Sequence, residues 1–337
     1  MQKKLTVSII GAGNIAGGFD EKKIADSSGI FSHAGAYTKN GNFILKNIFD
    51  VNESRAKEFQ KYWNVENIVK SEDEIINSYQ DIISICSPDA FHFKTIKNII
   101  LSKCCKTIFV EKPLGLSLNE IDEIYELSQA SNINIVVNFQ RHFDNSYSDL
   151  ELLSKDILTV NCYYIKGLNH IGITMIDTLI MLFGYPISVS SYNKIYNSNI
   201  NDFTYEFILF YTDFNITVKS IDEVKEYNYH IFDIDILTKT KRIVFTNNGN
   251  SMVSYDLADY SYSGVKVLTT EPETITTQYG SSMLKSVEYL RDITLKNEIH
   301  TKNRVVTSYN NHLLLDKIVK SFEEEKRIIL EGSLWKK

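Results

Sequence analysis

Val7-Ser8-Ile9-Ile10-Gly11-Ala12-Gly13-Asn14-Ile15-Ala16 decides the fold: an apolar run reads as a buried strand, and Gly11, Gly13 and Ala16 follow it in a GxGxxA pattern. The first glycine permits a tight turn, the second lets backbone approach a pyrophosphate, and the small Ala16 lets a helix pack closely on the strand. A pyrophosphate would then sit on the amino end of that helix. A lone pattern of this kind can be an ordinary turn, but here it begins a regular alternation. Leu5 to Ile10, Phe43 to Phe49, Ile82 to Cys86, Thr107 to Val110 and Ile133 to Val137 read as strands. Between them, Ser54 to Trp63, Glu72 to Tyr79, Phe91 to Leu101 and Ser117 to Ala130 have helical spacing, and Ser117 with Glu120 fits a capping box. Continuously apolar strands separated by helices predict a parallel sheet covered on both faces.

Asp50 ends the second strand, where a carboxylate accepts both ribose hydroxyls of a dinucleotide and repels a 2′-phosphate, so NAD is favoured over NADP. Two other readings stay open: Asp50 as the N-cap of the next helix, and Arg55 as a partner for the extra phosphate of NADP. Asp50 lies 39 residues after Gly11, where about 20 are usual, which implies an insertion. Its expected place is Gly17 to Ser32, ahead of the helix His33-Ala34-Gly35-Ala36-Tyr37. Such a loop either covers the cofactor or decorates the surface.

After Phe143 the texture changes. Ile157 to Ile165, Phe203 to Tyr211, Ile216 to Ile221, Tyr227 to Leu237 and Arg242 to Phe245 alternate apolar and polar residues, as antiparallel strands with one wet face do. A helix from about His170 to Phe183 interrupts them, and two more, near Ser281 to Lys296 and Val305 to Glu325, follow. The fold class is therefore an α/β N-terminal Rossmann domain with a mostly parallel sheet, residues 1–140, followed by an α+β domain with a large, mostly antiparallel open-faced sheet, residues 141–337. The C-terminal helix, about 305–325, is expected to pack back toward the first domain.

A chain of 337 residues is long enough for two cores, and its 43% hydrophobic and 23% charged content is ordinary for a globular protein. The net charge of −6 argues against nucleic acid, whose phosphates need Lys and Arg. Cys86, Cys104, Cys105 and Cys162 show no metal-ligand spacing, so no metal is expected and all four read as reduced thiols of a cytoplasmic protein. The apolar start breaks at Gly11 without a cleavage site. The run from Ile171 to Tyr185 carries Asp177 and falls short of the roughly 20 residues that span a bilayer, so no membrane association is expected.

Four motifs in order, Gly11-Ala12-Gly13-Asn14-Ile15-Ala16, Cys86-Ser87-Pro88-Asp89-Ala90-Phe91-His92, Glu111-Lys112-Pro113 and Asn138-Phe139-Gln140-Arg141-His142-Phe143, make the chain resemble the glucose-fructose oxidoreductase, inositol dehydrogenase and MocA family. The resemblance implies an NAD(P)-dependent dehydrogenase acting on the CH–OH of a sugar, polyol or nucleotide sugar. It implies that Ser87, Pro88 and His92 line the nicotinamide half of the cofactor cleft beside Gly11, Gly13, Asn14, Ile15, Ala16 and Asp50. Lys112 would reach the nicotinamide ribose and the substrate hydroxyl, with Glu111 holding it. Gln140 and Arg141, where the last Rossmann strand leaves for the second domain, are candidates for substrate contact. Read without the resemblance, Glu-Lys-Pro is a solvated strand exit.

The helix His170-Ile171-Gly172-Ile173-Thr174-Met175-Ile176-Asp177 departs from the family pattern at two positions: His170 stands where an Asp is usual, and Thr174 where the catalytic His is usual. On a regular helix residues 170, 174 and 177 share a face, so His170 could act as the base. Other outcomes are a reaction carried by Lys112 alone or a loss of the chemistry. Asn169, Thr174 and Asp177 are candidate substrate contacts, as is Tyr164; the other reading of Asp177, a buried carboxylate fixing its helix, stays open. Two alternatives to a simple dehydrogenase stand beside it: an NAD-retaining lyase or epimerase, and a catalytically impaired regulatory protein. The open face of the second sheet is expected to be covered in a homodimer or homotetramer.

Overall fold

Six parallel strands, β1 (Leu5–Ile10), β2 (Phe43–Phe49), β3 (Asn67–Ile68), β4 (Ile82–Ile85), β5 (Thr107–Val110) and β6 (Asn134–Val137), pair in the order β3-β2-β1-β4-β5-β6. The computed structural model describes residues 3–22, 29–148, 150, 154–198, 200–221, 231–262, 264–296, 304–330 and 332–336. β1 is central, and Val7, Ile9 and Ile10 have no exposed surface; full burial of such a side chain contributes about 1.5–3 kcal/mol. The strand order reverses at β1, so the chain leaves β1 and β4 in opposite directions and a crevice opens at their carboxyl ends.

Local chemistry sets the helix ends. Asn52 Oδ1 accepts from Arg55 N at 3.2 Å and caps the helix Glu53–Trp63. Ser117 Oγ accepts from Glu120 N at 3.3 Å, while Glu120 Oε2 reaches back to Leu116 N at 2.8 Å, so the expected capping box closes one residue earlier than the usual arrangement. The helix read over Glu72 to Tyr79 ends sooner, as Glu72–Ile76.

The chain divides into two compact units. The first is Met1–Asp144 with Tyr279–Tyr309, and the second is Asn145–Gln278 with Asn310–Lys337. A single boundary near residue 140 therefore misses the return of the chain. Met283, Val287, Leu290 and Ile293 of the helix Tyr279–Lys296 recur at helical spacing, and they join Leu5, Val7, Ile9 and Val136 in one core. Thr294 Oγ1 meets Thr107 Oγ1 of β5 at 2.7 Å. The last long helix, Val305–Glu323, straddles the division between Tyr309 and Asn310.

The second unit holds a ten-stranded sheet of β7 (Ile157–Tyr164), β8 (Ser188–Asn197), β9 (Asp202–Phe210), β10 (Asn215–Ser220), β11 (Phe232–Thr238), β12 (Lys241–Thr246), β13 (Ser251–Asp259), β14 (Lys266–Leu268), β15 (Glu273–Thr276) and β16 (Ile328–Ile329). All its pairings are antiparallel except β7 with β10. β11 shows why: Phe232, Ile234 and Ile236 are buried, while Asp233 and Asp235 alternate onto the other face. The sequence reading omitted β8, whose apolar alternation is broken by a register shift between Ser191 and Asn193. It began β11 at Tyr227, but residues 227–230 lie outside the described residues, as do residues 23–28 of the expected insertion.

Among the described residues no helix is long and apolar enough to cross a membrane. The apolar run becomes a π-helical turn, Gly167–Gly172, followed by the helix Ile173–Phe183. Asp177 is buried in that helix, and its Oδ1 accepts from Asn311 Nδ2 at 2.9 Å. Asp177→Ala should cost about 1–3 kcal/mol by leaving Asn311 short of an acceptor. A urea midpoint equal to that of the unmodified protein would show that the pair does not tie the two helices.

Candidate functional site

The glycine loop joins β1 to a π-helical turn, Asn14–Gly18. Gly11 has φ +92, and a Cβ there would stand 2.7 Å from the Cys86 carbonyl carbon and oxygen and from Ser87 N, so only glycine lets the loop lie against the end of β4. Around Gly13 the opposite holds, with nothing within 4 Å of an added Cβ. Asn14 is exposed and Ile15 half-buried, while Ala16 is buried.

Asp50 closes the adjoining edge. Its Oδ2 accepts from Ala12 N at 2.7 Å and its Oδ1 from Asn52 N at 2.8 Å, so the carboxylate is held against the glycine loop. The helix cap is Asn52, not Asp50. Arg55 is already engaged: Nε donates to Ala12 O at 2.6 Å and Nη2 to Glu21 Oε1 at 2.8 Å, and that oxygen also accepts from Trp63 Nε1. Beside Asp50 lies a cavity of about 420 Å³, with Ile10, Gly11, Phe49, Ser87, Pro88 and Thr95 in its lining. Ser87 Oγ is buried without a hydrogen-bond partner among the described residues. The open space over Gly13, the unanswered Ser87 hydroxyl and the cavity fit a dinucleotide.

His92 takes a different place from the expected one. It is buried, with Nδ1 2.7 Å from Pro113 O and Nε2 2.9 Å from Ser87 O. Both ring nitrogens face backbone carbonyls and the one that carries the proton donates, so His92 sits between the Ser-Pro-Asp turn and the Glu-Lys-Pro turn. Pro88 lines the cavity.

Glu111 is buried one residue before Lys112. Its Oε1 accepts from His33 Nε2 at 2.9 Å and from Asn138 Nδ2 at 2.5 Å, so its hydrogen bonds run to these two side chains and its hold on Lys112 is through charge. Burial works to raise the Glu111 carboxyl, but His33, Asn138 and the Lys112 charge outweigh it and keep the group below its usual value. Lys112, half-buried at the exit of β5, is pushed down from the ordinary lysine value by burial. The Glu111 charge opposes that shift, the Arg141 guanidinium adds to it, and Asp89 opposes it. Arg141 is buried with its guanidinium 5.0 Å over the Tyr279 ring, and Gln140 is half-buried in the same turn, Gln140–Phe143.

His33 and Asn138 escaped the sequence reading as site residues. His33 opens the helix His33–Asn40, after an insertion that conceals its spacing, and Asn138 stands one residue past β6. Asp20 anchors the far end of that insertion, accepting from Ser32 N and Oγ at 2.9 and 2.5 Å. The four buried cysteines are free.

In the second unit, the π-helical turn displaces His170 from the regular helical face expected for it, and both His170 and Asn169 are exposed. Asn169 is held by Asp202, through its N at 2.8 Å and Nδ2 at 3.2 Å. Thr174 is half-buried. Tyr164 is buried, its hydroxyl bonded to Tyr205 N and O at 2.8 Å, which makes it a fastener between β7 and β9. Asp177 Oδ1 ties its helix to the last long helix through Asn311.

Residues 5–139 match GFO_IDH_MocA, an oxidoreductase family with an NAD-binding Rossmann fold. Over 109 residues the chain is 31% identical to myo-inositol 2-dehydrogenase of Thermotoga maritima, covering 32% of each protein. Over 154 residues it is 29% identical to the uncharacterized oxidoreductase YrbE of Bacillus subtilis, covering 45% of this chain and 40% of that protein. The alignments thus span less than half of either relative. A levoglucosan dehydrogenase solved in complex with NADH has the same fold, with a TM-score of 0.76 at 16% identity over 98% of this chain and 100% of the other.

Proposed function

We propose, from the match of residues 5–139 to the oxidoreductase family with an NAD-binding Rossmann fold, an NAD-dependent dehydrogenase acting on a CH–OH group of a sugar, polyol or nucleotide sugar. One observation carries the reading. Lys112 stands half-buried in the same unit as the glycine loop, and burial together with the Arg141 charge weakens its hold on a proton. A lysine so placed can exchange a proton with a carbinol, since a general base works best with a pKa near the working pH. The carbohydrate class draws support from a relative that is an inositol dehydrogenase and a fold neighbour that is a levoglucosan dehydrogenase.

Gly11, Gly13, Asn14, Ile15 and Ala16 would carry the pyrophosphate, Asp50 a ribose, and Ser87 and Pro88 the far half of the dinucleotide. Bound there, nicotinamide supplies hydride transfer. Lys112 takes or returns the hydroxyl proton at Nζ, Glu111 balances its charge, and Gln140 and Arg141 orient the substrate from the same unit. Because the Asp50 carboxylate is held against Ala12 N of the glycine loop and Arg55 is spent on Glu21, NAD is the cofactor of choice. Exposed Leu158 and Tyr163 of β7 support assembly through the open sheet as a homodimer or homotetramer.

Incubating the protein with NAD and a panel of sugars, polyols and nucleotide sugars should produce NADH absorbance with at least one of them. Thr174, standing where the resembling family keeps its base, favours one second reading, in which NAD is retained and regenerated. Product formed without net NADH would establish that reading and sink the simple dehydrogenase. Asp50→Ala should weaken NAD binding roughly 10–100-fold, the worth of a charge-assisted hydrogen bond. Calorimetric titration checks this, and unchanged NAD affinity would remove Asp50 from the cofactor site.

A further inference from the structure

Below the Glu-Lys-Pro turn lies a buried polar cluster that neither cofactor nor substrate needs to touch. His33 has no exposed surface and rests on Phe109 of β5 with ring centroids 4.5 Å apart. Its Nε2 bonds Glu111 Oε1 at 2.9 Å, and its Nδ1 is buried with no partner among the described residues. A neutral imidazole carries one N–H and one bare nitrogen. With Nε2 facing a carboxylate and Nδ1 facing no acceptor, the proton belongs on Nε2 and the imidazole meets Glu111 as a donor. Asn138 supplies the second donor, at 2.5 Å, from the end of β6.

We propose that His33 is a positioning residue of the reaction: it acts through Glu111, the residue before Lys112, fixing that carboxylate in its charged form and so governing the charge state of the lysine. The proposal deepens the dehydrogenase reading and rests on it for the role of Lys112. It differs from a packing role in its consequence. Glu111, Arg141 and Asp89 act on the Lys112 charge, and Glu111 in turn feels the His33 ring, the Asn138 amide and the Lys112 charge. Glu111 and Asp89 favour the ammonium, and Arg141 opposes it. Removing the donor at His33 leaves Asn138 as the remaining side-chain donor to Glu111 among the described residues, favours the protonated carboxyl, and withdraws a charge that holds a proton on Lys112.

His33→Leu should therefore move the titration of Lys112 to lower pH, and His33→Gln, which keeps a donor near the position of Nε2, should restore most of it. Glu111→Gln sets the full size of the displacement, about one pH unit or more for loss of a neighbouring opposite charge. The readout independent of turnover is competitive acetylation of Lys112 by acetic anhydride across pH, followed by peptide mass spectrometry on the NAD-free protein. The second readout is the acid limb of kcat/KM for carbinol oxidation. It should move to lower pH in His33→Leu, whereas a merely structural lesion lowers the height of the profile without moving it. A Lys112 titration displaced by Glu111→Gln but unmoved by His33→Leu overturns the proposal. So does a displacement equally large in His33→Leu and His33→Gln. A displaced titration in a protein that turns over no carbinol upholds the inference about His33 and removes the dehydrogenase reading alone.

Discussion

Replacement of Lys112 by Met is expected to lower kcat/KM for carbinol oxidation by roughly 10²–10⁴-fold, the usual worth of a positioned general acid or base, with NAD affinity within a few-fold of the unmodified protein. The loss should appear in kcat, because the lysine acts on a proton that moves only as the reaction proceeds. Lys112→Arg divides charge from proton transfer. A guanidinium keeps the positive charge but does not give up its proton at any working pH, so it should be as inactive as Met. Steady-state kinetics with calorimetric NAD binding checks both variants. Turnover within tenfold of normal in Lys112→Met would take the lysine out of the chemistry, and an active Lys112→Arg would reduce it to a fixed charge.

The second large effect is at Gly11, where stability and binding should fall together. With φ +92, an alanine pays for a left-handed backbone, and its Cβ meets the carbonyl of Cys86 and the amide of Ser87 at 2.7 Å. Those are backbone atoms, and Cys86 N is bonded to Ile10 O at 2.8 Å, so they cannot withdraw without loosening β4 from β1. Strain and overpacking together should cost Gly11→Ala about 3 kcal/mol or more. NAD binding should be lost. Gly13→Ala is the contrast. Gly13 has φ −71 and nothing within 4 Å of an added Cβ, so stability should stay within about 0.5 kcal/mol while NAD affinity drops. Denaturant midpoints and NAD titration of both variants test the pair. A Gly13→Ala protein that binds NAD normally would show that the open space is not the cofactor's.

Much of the first unit could be read in the linear chain because its rules are local. The continuous apolar runs of β1, β4 and β5 are what a sheet covered on both faces needs, and the GxGxxA spacing follows from how a turn must approach a strand. Asp50 was legible for the same reason: it ends β2, next to β1. Ranking Asp50 against Arg55 required the fold, since Arg55 is diverted by Glu21, which lies beyond the loop and was not singled out by any motif. The Glu-Lys-Pro tripeptide was visible, but the partners of Glu111 were not. His33 and Glu111 are 78 residues apart and meet because the helix His33–Asn40 packs on the sheet beside β5.

The helix around Thr174 shows a different limit. Regular spacing placed residues 170, 174 and 177 on one face, but the π-helical turn Gly167–Gly172 changes the phase ahead of the α-helix, and Asp177 goes to Asn311. Local rules also give no reason for the chain to return to the first unit at Tyr279. That return is driven by Met283, Val287, Leu290 and Ile293 finding the core of β1, a partner more than 250 residues earlier in the chain. By itself, then, the sequence determined the strand, the glycine loop, the acid that faces it and the lysine at the exit of β5, because each depends on neighbours a few residues away. Only the tertiary structure decided which charges surround that lysine, because hydrogen bonds and burial are settled between elements distant in sequence, where no periodicity reaches.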